Sequence, residues 1–289
     1  MSRLVLELRP PESRHYASWD ARIAAVTRYS RPDEVHALCE QAYALGARVV
    51  FAVLDDTIRE ALRSFQQWRT DVELWVAVPN MFAFIRDLTD LGMVGAARAR
   101  FTRLTPAAMV RTGLRATGQL NGIRKKDFAT GAMLVADMEL AALRELRVRR
   151  LFLHQQVTEI ALAGGVTSIF AAVLGRAAGL GIDAGLVTHN PVRARAVLGP
   201  TLERFTAIIA PANPRGYKMV PDRAACEALY RAHPGRFFAS EATAAGSLPL
   251  DAVEAYASQL GLGGAVLDAT AVALAFRGRA TRPVAAAAR

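Results

Sequence analysis

The chain has 289 residues, of which 52% are hydrophobic, and it carries a formal net charge of +10 at pH 7. That length suits one α/β barrel or two ordinary domains, and the composition can bury a large core. No apolar stretch approaches the roughly 20 residues of a transmembrane helix, and residues 1–12 lack a signal-peptide pattern. Cys39 and Cys226 lie in amphipathic segments and are expected to be free, buried thiols. We therefore expect a cytoplasmic protein with no membrane partner.

The basic residues of this chain are almost all arginine. Lys125, Lys126 and Lys218 are the only lysines among 36 basic residues, so the other 33 are arginine. Coding composition can explain arginine in place of lysine, but it does not explain the net positive charge. Guanidinium groups pair bidentately with phosphate and carboxylate. Because the arginines are spread along the chain and no nucleic-acid-binding motif is present, we expect a small anionic metabolite rather than nucleic acid.

A repeating pattern runs through most of the chain: a short apolar run, polar residues at its end, and an amphipathic helix. The clearest runs lie at residues 48–54, 72–78, 151–153, 185–187, 207–210 and 237–240. Strands that alternate with helices indicate a parallel sheet, and in a closed barrel their polar carboxyl ends meet on one face. The pattern predicts an α/β fold, a single (β/α)8 barrel of the TIM type, with its active site on that face.

Ten segments have the composition of strands, two more than such a barrel holds. Four of them are harder to place, at residues 4–8, 22–28, 94–100 and 264–268. We expect residues 4–8 to form an extra strand, as a plug at the bottom of the barrel or at an edge, and one of the other three not to be a barrel strand. The barrel would then span residues 1–276, and the Ala- and Arg-rich residues 277–289 would form a flexible tail.

The segment 105–148 is longer than a single crossover between two strands requires. They are expected to hold two helices interrupted at residues 117–122, followed by the densest basic cluster of the chain, Arg124, Lys125 and Lys126. Such an excursion often forms a lid or a subunit contact, which would make the protein a homo-oligomer. A solvated basic turn explains the cluster equally well.

The polar residues at the predicted strand ends are the candidates for catalysis. His154 and His189 each follow an apolar strand, where core packing does not require histidine, and imidazole exchanges protons near neutral pH. Glu241 also emerges from an apolar strand. Asp55 follows another, either as a helix cap or directed into the barrel mouth. With Glu159, these groups could also ligate a metal, but no HExxH or HxH pair is present, and we predict no metal site.

The segment from Asn213 to Met219 joins a strand end to a helix and contains Arg215 and Lys218. Loops late in a barrel commonly bind phosphate through backbone amides and a cation. We predict an anion site built from Arg215, Lys218 and the region of Gly246, with Asn190 and Asn213 as further substrate-binding residues.

Two family resemblances accompany these patterns. The order THNP, NPRGYKM, ASEATAAG between Gly185 and Asp268 resembles the last βα units of aldo/keto reductases. In that family Tyr, Lys, His and Asp carry hydride transfer, yet the strand that ends at Asn80 supplies no lysine. The resemblance therefore implies the barrel and not that catalysis. Separately, Glu7-Leu8-Arg9-Pro10-Pro11 is similar to the opening of methylenetetrahydrofolate reductases, in which a Glu before paired prolines is catalytic.

Together these features favour an enzyme that acts on a small phosphorylated or carboxylated metabolite by acid/base chemistry, as a lyase or isomerase. No GxGxxG loop for a dinucleotide is present, and the sequence does not name a cofactor. The alternatives are an oxidoreductase that uses a nicotinamide or flavin, and a non-catalytic barrel that binds an anion or RNA.

Overall fold

Eight parallel strands close into a barrel in the order in which they occur along the chain. The computed structural model describes residues 3–10, 19–102, 109, 128–141, 143 and 145–280. The strands are β1 (Arg3–Leu8), β2 (Val49–Val53), β3 (Glu73–Val78), β4 (Val148–Leu153), β5 (Asp183–Val187), β6 (Ala207–Pro211), β7 (Phe237–Ser240) and β8 (Gly264–Leu267). β8 pairs in parallel with β1 and completes the closure. The predicted (β/α)8 barrel of the TIM type is confirmed.

Helices connect the strands and form the outer layer. They are α1 (Trp19–Tyr29), α2 (Pro32–Ala44), α3 (Asp56–Trp68), α4 (Met81–Thr102), α5 (Phe128–Ala141), α6 (Gln155–Gly164), α7 (Ser168–Gly179), α8 (Pro191–Leu198), α9 (Arg223–Ala232), α10 (Leu250–Gln259) and α11 (Ala269–Ala280). A 3-10 helix, Gly199–Arg204, follows α8. In the described part of the chain, no helix is long and apolar enough to span a bilayer. Cys39 and Cys226 are buried free thiols, as expected.

The strands bury both faces, because alternate residues point to the barrel interior and to the helices. The interior is a compact aromatic cluster, in which the Trp75 ring stacks on Phe152 and meets Phe238 edge-on, with centroids 5.4 and 4.9 Å apart. Gly185 leaves room for Phe152, because a Cβ at this glycine would lie 2.4 Å from the phenyl ring. The core thus fills the barrel, and barrels of this type bind their ligands above such a core, at the carboxyl ends of the strands.

The structure shows which of the four ambiguous segments are strands of the barrel. Residues 4–8 are not an extra strand but belong to β1, which pairs with β2 and β8, and residues 264–268 largely coincide with β8. Residues 22–28 and 94–100 lie within helices α1 and α4. A short apolar run does not distinguish a buried strand from a buried helical face, which explains why these segments were ambiguous.

The connection between β3 and β4 contains the predicted excursion. It includes α4 and α5, and α4 has a kink at Gly92, whose φ is 67°. The expected helix break at residues 117–122 and the basic cluster at Arg124, Lys125 and Lys126 lie outside the described residues. At the C-terminus, α11 extends to Ala280, so it includes the first residues of the segment predicted as a tail, and residues 281–289 are outside the description.

Candidate functional site at the barrel mouth

The inward-facing positions of β1 end in an ion pair at the mouth of the barrel. Val5 belongs to the interior cluster, and alternation brings Glu7 and Arg9 to the same face two and four residues later. Arg9 Nε donates to Glu7 Oε1 at 2.6 Å. The two side chains are only 17% and 13% exposed, respectively. A charged pair this well shielded from solvent stands directly above the apolar core.

His154, the first residue after β4, is the N-cap of α6. Its Nδ1 accepts a hydrogen bond from the backbone N–H of Gln156 at 3.3 Å. Burial, assisted by the positive charge of Arg9, lowers the pKa of His154 to about 3. The ring is therefore neutral over the physiological range and carries its proton on Nε2. We predicted proton exchange for His154, but a ring in this state serves better as a hydrogen-bond donor.

His189, the second residue after β5, is held from the side by α6. Gln155 Nε2 lies 3.1 Å from His189 Nδ1. Burial lowers the pKa of His189, and the positive charges of Arg9 and Lys218 lower it further, while Glu159 and Glu241 act in the opposite direction. His189 is therefore within electrostatic reach of charged groups that come from four different parts of the chain.

Glu159, on α6, positions the end of β5 rather than the imidazole. Its Oε1 accepts from the Thr188 hydroxyl at 2.8 Å and from the backbone N–H of His189 at 2.6 Å. Because both donors belong to consecutive residues, the carboxylate fixes the backbone from which His189 projects. Metal ligation by Glu159 was left open as an alternative; in the structure its Oε1 accepts hydrogen bonds from the end of β5.

Lys218 and Glu241 form a second ion pair, across the loops that follow β6 and β7. Lys218 Nζ lies 2.7 Å from Glu241 Oε1. Both residues have positive φ, 57° and 52°, a strained backbone that is typical of functional sites. Asn213 stabilises this arrangement: it is fully buried, donates to the carbonyls of Tyr217 and Glu241, and accepts from Tyr217 N–H at 2.9 Å. Asn213 thus holds both loops together and positions the pair.

The loop near Gly246 was predicted to supply amide donors for an anion. In the structure Gly246 N–H donates to Thr243 Oγ1, and the N–H of Ser247 donates to the Ala244 carbonyl. These two amides are used within the loop. Arg215 is exposed to solvent, and Lys218 is the cation of this loop that meets the other candidate groups.

Two predicted site residues cap helices next to the mouth. Asp55 is the N-cap of α3 and accepts from Ile58 N–H at 2.7 Å. Asn190 is the N-cap of α8 and accepts from Arg193 N–H at 2.9 Å. Asp55 also lines a cavity outside the barrel wall. Among the described residues no group of three or more His, Cys, Asp or Glu side chains is arranged to hold a metal ion.

The site predicted from the sequence does not include Glu7, Arg9 or Gln155. Glu7 and Arg9 stood out only through a family resemblance, because β1 was discounted as a barrel strand. Gln155 follows His154 directly and carries no distinctive motif. The signal that would have found the first two is the alternation from the apolar Val5 to charged residues at the end of a strand, the same signal that identified His154 and His189.

Comparison of the chain with protein-family models, with curated proteins and with solved structures returned no match.

Proposed function

We propose that the protein is an enzyme that moves a proton on a small anionic metabolite, as an isomerase or lyase does. The observation that carries this proposal is the surroundings of His189, a half-buried imidazole whose pKa is lowered and which feels the charges of two ion pairs, Glu7–Arg9 and Lys218–Glu241, at the carboxyl ends of the strands. Carboxylates beside a neutral imidazole form an acid/base set, and this face is where barrels of this type carry their chemistry.

Glu241 is the proposed base. One carboxylate oxygen, Oε1, contacts Lys218, and within the described residues the other oxygen has no hydrogen-bond partner. A carboxylate with one oxygen anchored and one available can accept a proton from a carbon next to a carbonyl group. Glu241 follows the buried strand β7, and its side chain is 28% exposed, so a substrate at the barrel mouth can reach that oxygen.

His189 is the proposed electrophile. Since Nδ1 accepts from Gln155, the neutral ring presents Nε2–H as a donor. An N–H donor of this kind stabilises the negative charge that develops on a carbonyl oxygen when the neighbouring carbon loses its proton. Return of the proton to a different atom completes an isomerisation, and loss of a group from the next carbon completes an elimination.

Arg9 and Lys218 are the proposed cations for the phosphate or carboxylate of the substrate. Both act electrostatically on His189, so an anion bound between them lies next to the proposed acid/base groups. The net charge of +10 favours the approach of such a substrate. On the basis of its two free thiols, we propose that the enzyme acts in the cytoplasm.

Solvent exchange tests this function without knowledge of the product. The protein is incubated in deuterium oxide with a panel of small phosphorylated and carboxylated carbonyl compounds, and proton NMR follows the loss of each C–H signal. We expect exchange with one structural class of the panel. Glu241→Gln should slow that exchange by about 10²-fold or more, since a general base contributes about this much.

The matched control is Glu60→Gln, which changes an exposed carboxylate on α3 and should exchange as fast as the parent protein. Wild-type exchange rates in Glu241→Gln would exclude Glu241 as the base. An absence of exchange across the whole panel would contradict the proposed proton transfer from a carbon atom.

A further inference from the structure

A cavity lies outside the barrel wall, between β2 and β3 and the helices that cover them. Its volume is about 170 Å³. The inner part is apolar and includes Val76 and Val78, which face the helices, together with Met138 and Leu143. An apolar cavity of about 150 Å³ is enough for benzene, so this one has room for about six to eight non-hydrogen atoms.

One wall of the cavity is charged. Arg100 is 90% buried and bridges two carboxylates, Asp87 at 3.2 Å and Glu139 at 2.9 Å. Its Nε, which is also buried, has no hydrogen-bond partner in the described structure. Glu139 additionally accepts from the backbone N–H of Asn80 at 2.8 Å. A buried arginine with an unused donor is an unusual feature in the wall of a cavity.

The opening of the cavity lies at the carboxyl ends of β2 and β3, where Asp55, Asp56, Arg59 and Arg86 line it. The lining therefore contains three arginines and three carboxyl groups. Burial raises the pKa of Glu139 to about 7, although Asn80 N–H and Arg100 act in the opposite direction. Near neutral pH this carboxyl is protonated for part of the time, and Arg100 then keeps only one charged partner, Asp87.

We propose that this cavity is a second binding site, separate from the barrel mouth, for a small monocarboxylate with an apolar tail of about four or five carbons. The tail packs on Val76, Val78 and Leu143, and the carboxylate faces the arginines of the wall and the opening. The site shares none of its described lining residues with the groups assigned to proton transfer, so it is independent of the proposed function.

The affinity of this site for a carboxylate should depend on pH. A bound carboxylate near Glu139 disfavours a second negative charge, so binding is accompanied by uptake of a proton, and affinity falls as pH rises through 7. The groups that share this environment come from every element around Glu139: Arg86, Asp87 and Arg100 from α4, Asp56 and Arg59 from α3, Asp55 and the Asn80 backbone from the strand ends, and the Asp137–Arg176 pair between α5 and α7.

Calorimetric titration of the full chain with 3-methylbutanoate at pH 6 and pH 8 tests the proposal. The matched ligands are 3-methylbutan-1-ol, which lacks the charge, and 3-methylbutylamine, which reverses it. We expect the carboxylate to bind about tenfold more tightly at pH 6 than at pH 8, and more tightly than either matched ligand. Glu139→Gln should remove this pH dependence and retain the affinity of pH 6 at both values.

Ala83→Trp, which fills the cavity, should abolish binding, whereas Ala228→Trp on the exposed face of α9 should leave it unchanged. Lys218→Met, at the barrel mouth, should also leave it unchanged. Equal binding of the alcohol and the carboxylate would overturn the assignment to an anion. Absence of carboxylate binding, or binding that survives Ala83→Trp, would overturn the site itself.

Discussion

The side-chain nitrogen of Gln155 lies 3.1 Å from Nδ1 of His189. An amide nitrogen donates and does not accept, so Nδ1 is the acceptor and the neutral ring carries its proton on Nε2. Gln155, a neutral side chain on α6, thus determines which nitrogen of His189 carries the proton and can donate a hydrogen bond. The role proposed for His189 as an N–H donor depends on this tautomer.

Gln155→Glu should reverse the tautomer. A carboxylate accepts a hydrogen bond from Nδ1–H, so the proton moves to that nitrogen, and the added negative charge raises the pKa of His189. Nitrogen-15 NMR of the imidazole rings distinguishes the two tautomers and follows the pKa directly. The resonances of His233, on the far end of α9, serve as the internal control. An unchanged His189 spectrum in Gln155→Glu would show that Gln155 does not set the tautomer.

His154 should make the protein sensitive to acid. Its pKa is lowered from 6.5 to about 3 by burial, so below pH 6.5 the unfolded chain binds a proton that the folded protein excludes. The free energy of unfolding is therefore unaffected by this residue above pH 6.5 and falls by about 1.4 kcal/mol per pH unit below it. Urea denaturation between pH 4.5 and 8 measures the slope.

His154→Asn is the matched variant for this measurement, because asparagine is a good N-cap and does not titrate. Its unfolding free energy should depend less on pH below 6.5 than that of the parent protein. If the two proteins show the same slope, another group controls the acid side of the stability profile.

Glu159 should contribute to stability through the end of β5. Glu159→Ala removes the acceptor for two hydrogen bonds, at 2.8 and 2.6 Å, and leaves the donors of Thr188 and His189 without it. We expect a loss of about 2–3 kcal/mol in the free energy of unfolding, and a smaller loss for Glu159→Gln, which keeps an acceptor. Chemical denaturation gives both values. A loss as small as that of the exposed control Glu60→Ala, about 0.5 kcal/mol or less, would contradict the role given to Glu159.

Barrel closure should depend on Gly264. A Cβ there would lie 2.1 Å from the backbone oxygen of Arg3, in the strand pair that closes the barrel. At Gly185 the obstacle is the Phe152 ring, a side chain that can shift. We therefore expect Gly264→Ala to destabilise the protein more than Gly185→Ala, which should cost about 1–3 kcal/mol.

Gly175 provides the control for these glycine variants, because a Cβ at this position in α7 meets no atom of the described residues within 4 Å. Gly175→Ala should stabilise the protein by about 0.5–1 kcal/mol through helix propensity. Thermal denaturation ranks the three variants, and a Gly264→Ala protein as stable as Gly185→Ala would show that the backbone contact is relieved.

The polar strand ends were correctly read from the sequence because they are local. His154, His189 and Glu241 each follow an apolar strand by one or two residues, and the structure places all three around the barrel mouth or at its rim. The protonation states and hydrogen bonds of these side chains could not be read from their neighbours in the sequence. The capping bond and burial that keep His154 neutral come from the helix after it and from the packed barrel, and neither is visible in the residues beside it.

The sequence by itself determined the alternation of strands and helices, since the period of apolar residues along a few neighbouring positions selects each element. Only the tertiary structure decided which apolar runs are strands of the barrel and which side chains meet at its mouth. Lys218 and Glu241 are 23 positions apart, and Gln155 and His189 are 34 apart. Contacts over such distances depend on closure of the whole sheet, in which the pairing of β8 with β1 places every strand relative to the others.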